Sequence, residues 1–92
     1  MVRLKGHLIC MGPEEAAAVR AHREAHLALT RAEPGCLSFD ILDTDDPLIF
    51  DVQEVFRDRP AFDAHQARTR ASAWFEATRS ILRDFRVEEL GD

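Results

Sequence analysis

Ninety-two residues, 46% hydrophobic and 32% charged, describe one globular domain and leave little room for a second. Twelve basic against 17 acidic side chains give a net charge of −5, which opposes binding to a phosphate backbone, so nucleic acid is not an expected partner. The apolar runs are far too short to span a membrane, and the opening segment lacks the roughly 7–15-residue apolar block of a secretory signal, so no membrane partner and a cytoplasmic location are expected.

The first expected element is a strand from Val2 to Met11. It alternates, with Val2, Leu4, Gly6, Leu8 and Cys10 on one face and Arg3, Lys5, His7 and Ile9 on the other. Gly12-Pro13 breaks it, and Pro13 followed by Glu14 and Glu15 suits a first helical turn, where a missing N–H is harmless and negative charge is favoured. That helix runs to about Arg31, and its predicted inward stripe is Ala18, His22, Ala25 and Leu29, with Val19 and His26 beside it. Glu33-Pro34-Gly35 ends it.

A second strand spans Cys36 to Asp43, with Leu37, Phe39 and Ile41 opposite Ser38 and Asp40. The polar link Asp43–Pro47 then turns the chain into a third strand, Leu48 to Arg57, whose faces carry Phe50, Val52, Glu54 and Phe56 on one side and Ile49, Asp51, Gln53 and Val55 on the other. Asp58 is a good N-cap and Pro60 falls in the first turn of a helical stretch bearing Phe62, His65, Gln66 and Thr69. This stretch continues or kinks near Ser72 into Trp74, Thr78 and Ile81, and a fourth strand follows around Phe85 and Val87. The order strand, helix, strand, strand, helix, strand specifies a ferredoxin-like α+β fold, an antiparallel sheet with helices on one face. Strands one and two are then parallel but not neighbours, which places Cys10 and Cys36 at opposite sheet edges and argues against a disulfide.

Both faces of the strands carry apolar residues, among them Ile9, Ile49 and Val55, while the helices cover one face only. A small chain buries only roughly 60–65% of its unfolded surface. A second copy packed by two-fold symmetry would cover the remaining face, so a homodimer is expected.

Several side chains are candidates for chemistry. His22 and His26 stand i, i+4 on one helix, but the segment reads H-R-E-A-H and no third ligand can be assigned, so no metal is expected. His65 lies on the apolar side of its helix, where its basicity can be tuned; it is the candidate acid/base or hydrogen-bond donor, the plain alternative being a core histidine bonded to a backbone carbonyl. Glu54 is a carboxylate among aromatics, either a functional base or half of an ion pair with Arg3, Lys5 or an arginine of the last strand, and the pair is the expectation. Trp74, Phe39, Phe56 and Phe85 could line an aromatic pocket or form plain core. The set Arg68, Arg70, Arg79, Arg83 and Arg86 reads as a solvated surface with some dimer contacts. No Gly-rich nucleotide signature and no G-x-S-x-G is present, so no cofactor is expected.

The segments HLALTRAEPGCLSFDI (His26–Ile41), DDPLIFDVQEVF (Asp45–Phe56) and FDAHQART (Phe62–Thr69) resemble the antibiotic biosynthesis monooxygenase family, and its quinol monooxygenase-like members most. The similarity runs in order along nearly the whole chain, with the EPGC and F-x-A-H-Q blocks as its specific parts. It implies a dimeric α+β barrel of two ferredoxin-like units. Family activities include cofactor-independent oxygenation of quinols or polyphenols, haem degradation and isomerisation of small signalling sugars. The resemblance implies a pocket ringed by Trp74, Phe39, Phe56 and His26, with Glu54 on its floor or in the sheet interface and His65 as base or donor to a small aromatic substrate that reacts with dioxygen. The chain contains no tyrosine and no asparagine, so mechanisms that hold substrate with a tyrosine hydroxyl, or that degrade haem with an asparagine, are absent. A non-catalytic, stress-related ligand-binding barrel is one alternative. A sugar isomerase is the other, and it would require Arg70 or Arg86 to point into the pocket.

Overall fold

In the computed structural model, which describes residues 1–91, the elements follow in the order β1 (Val2–Ile9), α1 (Pro13–Arg31), β2 (Cys36–Asp43), β3 (Ile49–Phe56), α2 (Arg59–Arg70), α3 (Ala73–Thr78) and β4 (Leu82–Glu89). The strands form one antiparallel sheet in the order β2-β3-β1-β4. This is the ferredoxin-like α+β architecture anticipated from the element order. Strand alternation decides the layers. Val2, Leu4 and Leu8 of β1 and Phe50, Val52, Glu54 and Phe56 of β3 all point to the helix side and are buried, because successive side chains in a strand must take opposite faces. Phe39 and Ile41 of β2 and Phe62, Trp74 and Ile81 complete the core with Val19 and Leu27 of α1.

Helix ends follow the local chemistry. Pro13 opens α1 with Glu14 and Glu15 in its first turn. Asp58 caps α2 by accepting from the Ala61 N–H at 2.9 Å, and Ser72 caps α3 by accepting from the Phe75 N–H at 3.2 Å, so the kink expected near Ser72 is a break between two helices. No helix among the described residues is long and apolar enough to cross a membrane.

Four expectations are corrected. The buried stripe of α1 is Ala16, Val19, His26, Leu27 and Thr30, whereas Ala25 and Leu29 face outward. A helix with alanines on several sides offers more than one plausible stripe, and docking against β2 and α3 selects among them. Leu37 is exposed because the β2–β3 register shifts between Cys36 and Ser38; this bulge removes Leu37 from the alternation that continues through Phe39 and Ile41. Strand β1 is central, so Cys10 and Cys36 lie at opposite ends of the sheet rather than at opposite edges; both thiols are free. Lastly, the outer sheet face is mainly polar. Arg3, Lys5 and His7 run along β1 between Asp51 and Gln53 of β3 and Asp84, Arg86 and Glu88 of β4, with an Arg3–Glu88 ion pair at 3.2 Å. Its apolar part is the cross-strand row Ile49–Ile9–Leu82 at one end and Val55 at the other.

One close approach positions β4. A Cβ on Gly6 would collide with the Asp84 carbonyl oxygen and stand 2.8 Å from the Phe85 Cα, so only glycine lets the β4 backbone lie this close to the middle of β1, where Phe85 is its register partner.

Candidate active site

Between the inner sheet face and the helices lies a cavity of about 260 Å³. Its wall includes Leu4, Leu8, Phe39, Ile41, Val52, Phe75, Trp74 and Phe85, and its polar groups are His26, Glu54, His65, Gln66, Thr69, Arg70 and Arg83. Five of the six residues singled out from the sequence, His26, Phe39, Glu54, His65 and Trp74, therefore line one space. Phe56 does not line it; its ring sits behind His65, with ring centroids 4.8 Å apart. His22 and His26 do not act together, since only His26 reaches the cavity. Among the described residues no group of three or more His, Cys, Asp or Glu side chains is placed to hold a metal ion.

The imidazole of His65 is held at both nitrogens. Its Nδ1 lies 3.0 Å from Glu33 Oε1 and 3.3 Å from Oε2, and an ionised carboxylate can only accept, so Nδ1 carries the proton. In the neutral ring this leaves the Nε2 lone pair facing the cavity, where the Thr69 hydroxyl approaches at 3.3 Å and Glu54 Oε1 stands 3.8 Å away. Glu33 is itself fixed by the Arg68 guanidinium, which also donates to Thr30 Oγ1 at 2.9 Å. The turn after α1 can approach α2 this closely because a side chain on Gly35 would collide with Ala61. Sequence reasoning missed Glu33. The signal was present as the acidic residue of the EPG turn, yet only folding brings it to a histidine 32 positions away.

Burial sets the protonation states. Glu54 is 5% exposed and its carboxyl is pushed up to about 8, first by loss of solvent and then by the nearby Glu33 charge. It therefore stands as a neutral acid near pH 7. The expected ion pair of Glu54 with Arg3, Lys5 or an arginine of the last strand is overturned: Arg3 pairs with Glu88 on the opposite face, and Glu54 Oε1 is buried with no hydrogen-bond partner. Strand parity explains this, since Arg3 and Lys5 alternate away from the face that Glu54 shares. His26 is lowered to about 3, mainly by desolvation with help from His65, Arg68 and Arg83. Its ring stacks on Trp74 at 4.7 Å between centroids and 3° between planes, and its Nδ1 is likewise buried and unpartnered. Desolvation also lowers His65, against the opposing pull of Glu33.

The arginines do not behave as one solvated set. Arg68 is committed to Glu33, and Arg83 donates to the Thr78 and Ile81 carbonyls and to Thr78 Oγ1 while its side chain lines the cavity. Arg70 also lines it, whereas Arg86 lies on the outer face.

The site thus combines a base oriented by a carboxylate, a neutral acid beside it, flat aromatic walls and two buried polar atoms without partners. Buried polar atoms are nearly always paired, and two residues of this one cavity, His26 and Glu54, each carry an atom that is not. It can accept a small, largely flat molecule and remove a proton from it.

Residues 11–77 match the sequence pattern described as antibiotic biosynthesis monooxygenase. No protein of curated function matches the chain. Among solved structures, one from Deinococcus radiodurans provisionally described as an antibiotic biosynthesis monooxygenase is 25% identical, with 100% of this chain and 94% of that chain covered and a TM-score of 0.82. A Mycobacterium tuberculosis protein is 28% identical over 99% and 95% of the two chains, TM-score 0.74. SnoaB, a cofactor-independent oxygenase from Streptomyces nogalater, shares the fold at 16% identity, over 99% and 93%, TM-score 0.79.

Proposed function

The chain belongs to the antibiotic biosynthesis monooxygenase family, and from that membership and the site geometry we propose that it is a cofactor-independent monooxygenase of a quinol or similar small phenolic aromatic. The observation that carries this reading is His65, whose Nδ1 is held by Glu33 while Nε2 faces a cavity of about 260 Å³ with aromatic walls. A ring inserted beside Trp74 and Phe39 would place a phenolic hydroxyl between Nε2 and Glu54, which are 3.8 Å apart and too far to bond each other. His65 takes the phenolic proton, and Glu54, protonated by burial, donates to a substrate oxygen.

The anion, deprived of water, is electron-rich enough to react directly with dioxygen at a ring carbon. A C–O bond forms there, the C–H bond breaks, the O–O bond breaks, and the ring leaves as a quinone. One oxygen atom stays in the product and the other departs as water, with the substrate supplying both electrons and both protons.

Dioxygen uptake with reduced naphthoquinone tests this, run without flavin or added metal and against a protein-free blank. Protein-dependent uptake is expected, with a loss of roughly 10²–10⁴-fold in His65→Ala. No uptake above the blank with this quinol or with a carboxylated one would overturn the reading, and unchanged uptake in the variant would remove His65 from the mechanism.

A further inference from the structure

The ionisable groups on the cavity wall are His26, Glu54, His65, Arg70 and Arg83. Of these, both histidines and Glu54 are held neutral near pH 7 by burial. The Glu33 carboxylate stands behind His65 and is matched by Arg68. What remains on the wall is the charge of two arginines, which proteins do not deprotonate. Neither is neutralised. Arg83 uses three of its five N–H donors on two carbonyls and a hydroxyl, none of them anionic, and Arg70 has no acidic partner among the described residues. An acidic chain of net charge −5 has thus built its inner cavity with two cations and no anion.

The same wall carries the aromatic side chains of Trp74, Phe39, Phe75 and Phe85, which suit a flat ring, and the cavity is small against the roughly 300–1,000 Å³ of drug-sized sites. We propose that the substrate is an acidic aromatic, one or two fused rings bearing a carboxylate that Arg70 and Arg83 engage while the ring lies against Trp74. A carboxylate ortho to the reacting hydroxyl would meet the guanidinium groups as the hydroxyl meets His65. The two positive charges also favour the deprotonated ring, so they serve recognition and the anion alike. This inference rests on the proposed oxygenase site for its location, but it concerns binding and requires no turnover.

Calorimetric titration with 1-hydroxy-2-naphthoate and its uncharged amide, 1-hydroxy-2-naphthamide, separates the two. Neither probe needs dioxygen. The wild-type protein is expected to bind the acid at least about tenfold more tightly than the amide, because hydrogen bonds to an ionised group are about twice as strong as neutral ones. Arg70→Gln, a change at an exposed position, should remove most of that preference by weakening the acid's binding far more than the amide's. Arg83→Gln should act likewise; because Arg83 also ties β4 to Thr78, its fold is checked by circular dichroism and the Arg70 variant decides if it unfolds.

Equal affinity for acid and amide, no binding of either, or a preference untouched by Arg70→Gln would overturn the proposal. So would tighter binding of ribose 5-phosphate, a non-aromatic anion, than of the naphthoate. Preferential acid binding without dioxygen uptake on any acidic quinol would sink the oxygenase reading and leave this one standing. Uptake with acidic and neutral quinols alike, without a binding preference, would do the reverse.

Discussion

Replacing Glu54 by Gln removes a buried titrating group without changing its size. In the folded chain this carboxyl holds its proton up to about pH 8, whereas an unfolded glutamate releases it near 4.5. Between those values the folded state binds one more proton than the unfolded state, so each pH unit of increase lowers stability by roughly 1 kcal/mol. At pH 7 wild-type stability is thus reduced by up to about 3 kcal/mol relative to a group that never ionises. From pH 7 to 9 it falls by roughly another 1–2 kcal/mol, levelling off as Glu54 ionises in the fold as well. Burial also raises both thiols, which destabilises with the same sign at alkaline pH, so the readout is the difference between the two proteins. His26 and His65 work the other way. Their folded values are depressed, so their contribution is complete above the unfolded histidine value and is lost as pH falls below it. Urea unfolding at pH 6, 7, 8 and 9 measures this directly. Glu54→Gln should be the more stable protein at pH 7, and its advantage should grow to pH 9. Parallel profiles would refute the reasoning and mean that Glu54 is ionised in the fold.

Other consequences follow from the same geometry. Glu33→Gln keeps the shape of the turn but takes away the charge that supports a protonated His65; activity should fall roughly 10–100-fold, as when an orienting partner is removed, and the acid limb of the pH–rate profile should move to lower pH. An unmoved limb would separate Glu33 from the titrating base. Gly6→Ala forces a methyl into the Asp84 carbonyl, so β4 must shift; the urea midpoint should drop by the equivalent of roughly 1–3 kcal/mol, with loss of ligand binding at the wall that Phe85 provides. We also propose that the chain is a homodimer, supported by the uncovered row Ile49–Ile9–Leu82 and by the exposure of Leu37 and Leu42. Light scattering should give twice the 10.4 kDa chain mass at micromolar concentration, and a single-chain mass would end the proposal.

The strands were legible because alternation leaves only two choices per residue: once Phe50 and Val52 face inward, Glu54 and Phe56 must do so too. That parity alone put a carboxylate into the core. Proline, glycine and capping residues likewise fixed the ends of α1 and the break between α2 and α3, because these effects act within a few residues. The face of α1 was not legible. Its six alanines between Ala16 and Ala28 carry too little hydrophobic contrast to point one way, and packing against β2 and α3 chose a stripe about one residue away from the expected one.

The chemistry of the site divides along the same line. From the sequence came the residue types, His26, Glu54, His65 and Trp74, and the layer each belongs to. Only the tertiary structure decided what each one touches: that Glu33, beyond the end of α1, reaches His65 of α2, that Glu54 has no cation beside it, and that two arginines from α2 and β4 meet at one cavity. Periodicity is a property of one segment and can be read within it. A pKa or a charge balance is a sum over neighbours brought from distant segments, and it has no value until the chain has folded.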